Sequence, residues 1–283
     1  RDISFLSKQL VLLKTDVPMD INLDDYKLKD MDKEKLFALF SELEFKSILK
    51  ELGLEKKEDA SYQTIFSIEQ LNSLIDTLHH QKAMAISIKT EGNTAGGSTS
   101  GRDSTSGRGA AYKLVGMAIS YEPMTAFYIQ FSQQYLDQNK GMDRKEVLSL
   151  LRPIFEDTAI KKYGHDIKST VIMLHQYGIE LAGIGFDTML ASYLLNPSAK
   201  HNLESIAFNY IGICGRGTTS CVSTDDAEPV CFDADIIYRL TLSLAKQLEE
   251  NGLTQLFQDI EMPSALVLAQ MEIIGITLDL PYL

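Results

Sequence analysis

The sequence predicts an α/β domain: a mixed sheet flanked by helices and preceded by a helical arm. Three observations predict it. Alternating apolar residues between 85 and 132 read as a meander of three strands. From 143 onward, stretches of helical period alternate with short strand-like runs. Gly and Pro punctuate the boundaries, as at Pro18, Gly53, Gly178 and Pro197. With 283 residues, 45% hydrophobic and 23% charged, the chain has the composition of a globular protein with a sizeable core.

The elements follow in order. Residues 1–18 are apolar-rich and 19–30 acidic and polar. "DKEKLFALFSELEF" puts Leu36, Phe37, Phe40 and Leu43 on one helical face, and "FKSILKELGL" is a second short helix closed by Gly53. A charged linker, "EKKEDAS", completes an arm over residues 1–61. The domain spans 62–252. "YQTIFS" is a strand, and "SIEQLNSLIDTLHH" a helix with Ser67 as N-cap and Gln70 at the capping-box position. In "AISIKTEG", Ile86, Ile88 and Thr90 take one strand face and Ala85, Ser87, Lys89 and Glu91 the other. "KLVGMAISYE" and "TAFYIQFS" are two more strands around a turn at Pro123. Then come a helix over 143–157, a strand "IKKYGHD", and helices in "STVIMLHQYG", "FDTMLASYLLNP", "HNLESIAFNYIG" and "DADIIYRLTLSLAKQLEENG". The last presents Ile236, Leu240, Leu244 and Leu248 to the core, with Asp233 and Asp235 at its start, where they complement the helix dipole.

Residues 92–110 differ in kind. They contain STSGR twice and almost nothing that can be buried, so a flexible solvated insert is expected. Arg102 and Arg108 within it are also candidates to touch a phosphate backbone.

Charge and cysteines narrow the function. A net charge of -12 excludes nucleic-acid binding by bulk electrostatics but not through a narrow groove. No run of 18 apolar residues exists for a membrane span, and "RDISFLSKQLVLLKTD" lacks a signal-peptide pattern. Three cysteines, Cys214, Cys221 and Cys231, suggest a reducing compartment, hence the cytoplasm. A zinc site with His201 is disfavoured because no C-x-x-C pair occurs, so three unlinked thiols are expected.

Several stretches resemble one family. "AIKKYGHDIKSTVIMLHQYGIEL" and "GIELAGIGFDTMLASYLLNPSAKHNLESIA" are similar to the 3'-5' exonuclease domain of bacterial DNA polymerase I, a family A polymerase. "FLSKQLVLLKTDVPMDINLDDYKL" with "LFSELEFKSILKEL" resembles the linker after the 5'-nuclease region. Residues 253–283 resemble the entry into the polymerase thumb. The resemblance implies a ribonuclease-H-like (DnaQ-like) fold with a mixed five-stranded sheet. It also implies a two-metal exonuclease held by an Asp-x-Glu pair, an Asp after Gly-His-Asn, and a Tyr-x-x-x-Asp motif. Carried over, Lys89 stands for the first Asp and Glu91 for the Glu. Gly164 and His165 match, Asp166 replaces the Asn, and Thr170 replaces the third acid. Pro229 replaces the Tyr, while Asp233 keeps the last acid.

Counting Glu91, Asp233 and Lys89, the site charge falls from about -4 to about -1. The resemblance therefore implies a degenerate exonuclease domain acting as a scaffold inside a polymerase that works on DNA in replication and repair synthesis. No cofactor is expected; Mg2+ or Mn2+ is implied only for an active site, with Glu91, Asp233 and Asp166 as candidate ligands. Two other readings stay open. One is an active exonuclease rebuilt around Asp166 and Asp187. The other is a non-catalytic module that binds the 3' end of single-stranded DNA.

Overall fold

The structure is a computed structural model that describes residues 2–13, 27, 31–43, 45–53, 60–92, 112–132, 141–213 and 227–277. The insert 92–110 (apart from Gly92), Cys214 and Cys221 lie outside the described residues.

The chain begins with α1 (Asp2–Val11), α2 (Lys33–Glu42) and α3 (Lys46–Glu51). Leu36, Phe37 and Phe40 gather around the buried Leu49 and Phe208, which seats α2 and α3 on the domain; Leu43 stays exposed. The domain then runs β1 (Ser61–Ile65), α4 (Ile68–His79), β2 (Ala83–Gly92), β3 (Tyr112–Glu122), β4 (Thr125–Gln130), α5 (Arg144–Glu156), β5 (Lys161–Gly164), α6 (Ile167–His175), β6 (Ile184–Asp187), α7 (Thr188–Leu195), α8 (Leu203–Ile211) and α9 (Ala227–Glu250). After it come α10 (Thr254–Leu256), a π-helical turn (Phe257–Glu261) and α11 (Met262–Ile274).

Local chemistry starts these helices as expected. Ser67 Oγ accepts from Gln70 N at 3.3 Å, while Gln70 Oε1 accepts from Phe66 N at 2.9 Å, one residue before the usual capping-box donor. Asp143 caps α5 through Glu146 N, and Asn202 caps α8 through Ser205 N. Gly212, at φ 70°, ends α8 in the left-handed conformation that costs glycine least.

The described sheet has the order β1-β4-β3-β2-β5-β6. β2, β3 and β4 form the antiparallel meander; β1 joins β4, and β5 and β6 extend from β2, all in parallel. That is one strand more than five. The sixth, β6, has the sequence IGFD, too short for an alternating pattern. It shortens the next helix from the N-terminal side, since Phe186 and Asp187 are strand residues.

Two cores flank the sheet. One face packs on α4, α5 and α6 through Leu71, Leu78, Ile86, Ile119, Leu151 and Leu174. The other packs beneath α7, α8 and α9 through Ala118, Tyr128, Phe186, Ile206 and the fully buried row Ile236, Leu240, Leu244 and Leu248. α11 lies against α6, joined by a Lys168–Glu272 ion pair at 2.7 Å. Its opposite side leaves Val267, Leu268, Met271 and Ile274 exposed.

Candidate functional site

β2 sits inside the sheet, between β3 and β5. Its ladder with β3 pairs Ser87 with Ala118, Lys89 with Gly116, Thr90 with Leu114 and Glu91 with Lys113. The register slips between Lys89 and Thr90, and the extra residue, Val115, is on β3. β2 itself keeps its alternation, so Lys89 and Glu91 share one face. It is the face of Ala118, directed toward α9. Lys89 is half-buried and Glu91 exposed. Glu91 therefore has a lysine on either side: Lys89 two residues back on its own strand, and Lys113 directly across the ladder.

At the ends of β5 and β6 the polar groups serve the backbone. Asp187 is buried, and its carboxylate accepts from the amides of Met189 (2.8 Å) and Leu190 (3.3 Å) at the start of α7. The same carboxylate accepts from Asp166 N (3.3 Å) and Ile167 N (2.7 Å) at the start of α6. One carboxylate thus caps two helices. Burial pushes it up to about 6, against the pull of its amide donors. Beside it, His165 Nδ1 lies 3.0 Å from Thr188 Oγ1, and burial pushes this imidazole down to about 4. His165 is half-buried with Nδ1 partnered, the structural histidine expected from the sequence and not a base. Asp166 has a left-handed backbone, φ 55°, and accepts from Ser169 Oγ at 2.6 Å. Thr170 is buried within α6.

The ladder sets the distance between these groups and Glu91. Ala85 pairs with Tyr163. Glu91 lies six residues beyond Ala85, about 20 Å at 3.3 Å per residue. Asp166 lies three residues beyond Tyr163, at most about 11 Å even if fully extended. Asp187 pairs with Gly164, lower still. The structure brings Asp166, His165 and Asp187 together, and leaves Glu91 apart from them.

α9 lies across β2, β3 and β4. Pro229 is half-buried in its first turn, where a missing amide costs no helical bond. Asp233 is half-buried further along. Because α9 already runs from Ala227, Asp233 and Asp235 lie in its second and third turns, not at its start. The helix-dipole role expected of them is corrected accordingly. Asp235 is instead a buried anchor that accepts from Tyr62 Oη at 3.1 Å and Met124 N at 2.6 Å, with Arg239 Nη1 at 3.6 Å. Burial and this carboxylate push the Tyr62 phenol up strongly. The turn at Met124, φ 61°, is thereby pinned to α9. Sequence reasoning assigned no role to Lys113 or Tyr62, and took Asp187 as a candidate acid of a rebuilt site and not as a helix cap; each acquires its role only through a partner remote in sequence.

The metal pair that the resemblance implies can be tested against these residues. Two hydrated divalent cations need concentrated carboxylate. Glu91 and Asp233 are opposed by Lys89 and Lys113, a formal charge of zero across the four. Thr170 supplies no carboxylate. Among the described residues, no group of three or more His, Cys, Asp or Glu side chains is placed to hold a metal ion. The donor set does not fit the two-metal centre. Cys231 is buried, and His201 directs Nδ1 to Ser192 Oγ at 3.1 Å.

Comparison with known proteins gives a consistent assignment. Residues 113–212 match the family model described as DNA polymerase I, ribonuclease H-like domain. DNA polymerase I of Pseudomonas aeruginosa is 29% identical over 309 residues, covering 99% of this chain and 32% of its own length. DNA polymerase I of Bacillus subtilis is 26% identical, covering 99% of this chain and 30% of its own length. The chain thus spans about a third of the length of these curated relatives. Among solved structures, the POL domain of Pol1 from M. smegmatis, in complex with DNA primer-template and dNTP, superposes with a TM-score of 0.57. It is 19% identical, over 77% of this chain and 33% of that one. The catalytic core of RRP6 from Trypanosoma brucei superposes at 0.53, 16% identical, over 74% of this chain and 55% of that one. These likenesses show the ribonuclease-H-like fold.

Proposed function

On the premise that the chain is a relative of bacterial DNA polymerase I over its 3'-5' exonuclease region, we propose that its domain has lost metal-dependent hydrolysis and serves as a scaffold. The parent would be a polymerase that copies DNA during replication and repair in the cytoplasm. The polymerase domain would lie in the same chain, on the far side of α11. Among the described residues, no helix is long and apolar enough to cross a membrane.

The observation that carries the reading is the pairing of Glu91 between Lys89 and Lys113. An ammonium on the strand where a bridging carboxylate is needed repels a cation instead of holding one. Pro229, without a hydroxyl, cannot orient a water. A site rebuilt around Asp166 and Asp187 is disfavoured because the Asp187 carboxylate is committed to the amides that open α6 and α7, and that of Asp166 to Ser169 Oγ.

A 3'-labelled single-stranded oligonucleotide incubated with the domain and magnesium or manganese tests this. The expected result is no shortening above background. Efficient metal-dependent shortening would restore the active reading. One observation favours a second role: Lys89 and Lys113 can offer two ammonium groups to a phosphate. Binding of single-stranded DNA that weakens with salt, and that Lys113→Ala diminishes, would support a non-catalytic 3'-end module.

A further inference from the structure

Leu114 is the residue of β3 at which the ladder with β2 resumes after its slip. Carried on from Lys89 and Gly116 without a slip, the ladder would pair Thr90 with Val115 and Glu91 with Leu114. Leu114 would then share the face of Glu91 and leave the core under α4, α5 and α6, where it is fully buried. The bulge at Val115 keeps Leu114 in that core and turns Lys113 to the face of Glu91 instead. Leu114 also lies past the end of β4, whose last residue, Gln130, pairs with Gly116. Beyond it, Phe131 N still reaches Val115 O, but Ser132 N turns to Met142 O. Side chains complete the backbone of Leu114 in place of a strand. Its N–H donates to Tyr177 Oη at 3.1 Å, and its carbonyl accepts from Arg144 Nη1 at 2.9 Å. The same Arg144 nitrogen donates to Tyr177 Oη at 3.2 Å, and the guanidinium carbon lies 5.3 Å from the centre of the Tyr177 ring. Arg144 opens α5 and Tyr177 follows α6, so two elements of one sheet face close a bracket around one residue. Both are half-buried, and the bond to Leu114 O is charge-assisted, so the bracket is stronger than two exposed neutral bonds.

We infer that Arg144 and Tyr177 are positioning residues for the charge on β2: by holding both polar backbone groups of Leu114 they fix the bulge, and the bulge sets Lys113 across from Glu91. The inference rests on the reading that lysines stand where a metal site would need acids, and adds what puts the second lysine there. It makes the pairing of Glu91 with Lys113 depend on two residues that touch neither of them.

Cross-strand backbone NOEs in the 13C,15N-labelled full chain test the dependence. Tyr177→Phe combined with Arg144→Met removes the hydroxyl and the guanidinium and keeps most of the side-chain volume. The wild type is expected to show the contact between Glu91 and Lys113. The double variant is expected to lose it while keeping those between Ile86 and Ile119 and between Lys89 and Gly116, on the other side of the bulge. A Glu91–Lys113 contact that persists in the double variant would overturn the bracket. Should the double variant fail to fold, Tyr177→Phe alone decides through amide hydrogen exchange. Exchange at Leu114 is expected to quicken about tenfold, with that at Met117 unmoved. Equal exchange at Leu114 in Tyr177→Phe and wild type would overturn the bracket. Manganese titration of the wild type keeps the two levels apart: tight two-site binding overturns the degenerate-site reading alone, because the contacts around the bulge are read without metal.

Discussion

Replacing Asp187 by Ala removes one carboxylate and leaves four backbone amides, at Asp166, Ile167, Met189 and Leu190, without their acceptor. Loss of an N-cap costs about 1 kcal/mol per helix, and here two helices lose theirs. Some of the amides are also buried, and a buried donor left unsatisfied adds about 1–3 kcal/mol. The sum is about 3–5 kcal/mol, or roughly 10 °C in melting temperature. Asp187→Asn retains one acceptor oxygen and should lose about half as much. The pair with His165 adds a pH signature. Asp187 is raised from 3.8 to about 6 on folding, so the folded state takes up a proton more readily, and this group adds stability as pH falls through 6 toward 4. His165 is lowered from 6.5 to about 4, so its contribution is present above 6.5 and is lost as pH falls toward 4. The two trends oppose each other over nearly the same window. Differential scanning calorimetry from pH 4 to 7 should find the wild type comparatively flat. Asp187→Asn should lose stability as pH falls, with only His165 titrating, and His165→Gln should gain it, with only Asp187 titrating. A melting temperature for Asp187→Ala within about 2 °C of wild type would refute the double-cap argument, and parallel pH profiles for all three would refute the pairing.

Three further outcomes are expected. Asp235→Ala should cost about 2–4 kcal/mol, because Tyr62 Oη and Met124 N lose a charged acceptor, and urea unfolding would measure it. Gly183→Ala should destabilise by more than 1 kcal/mol, since φ is +67° and the added methyl would meet Ile160 O at 2.6 Å; a shift in denaturant midpoint would register it. Met271→Glu with Ile274→Lys should reduce concentration-dependent self-association in sedimentation runs, because both side chains lie on the exposed apolar side of α11.

Local pattern carried most of the fold. The alternation in 85–92 and 113–130, the Ser67 cap and the stripe Ile236, Leu240, Leu244 and Leu248 all depend on neighbours within four residues, and these were legible. β6 was not, because four residues with a glycine show no period. Nor was the start of α9, where Pro229 disguises a first turn that accepts it. The candidate site divides the same way. Lys89, Glu91, Thr170, Pro229 and Asp233 are named by motif position. What surrounds them is a matter of register. Lys113 faces Glu91 only because β3 slips by one residue at Val115, and Gly116 lies under Tyr128 only through the register of β3 on β4. Asp187 reads as a second acid near the site until its four amide donors, two of them about twenty residues away, are seen.

The central claim is that charge on the β2 strand keeps metal out, and calorimetric titration with manganese tests it most directly. The wild type is compared with Lys89→Asp combined with Thr170→Asp, which restores the acid pair on β2 and adds a carboxylate on α6. The expected result is no resolvable binding by the wild type and measurable binding by the double variant, whose added acid at the buried position 170 is stabilised when a cation is present. Tight two-site binding of manganese by the wild type would contradict the account.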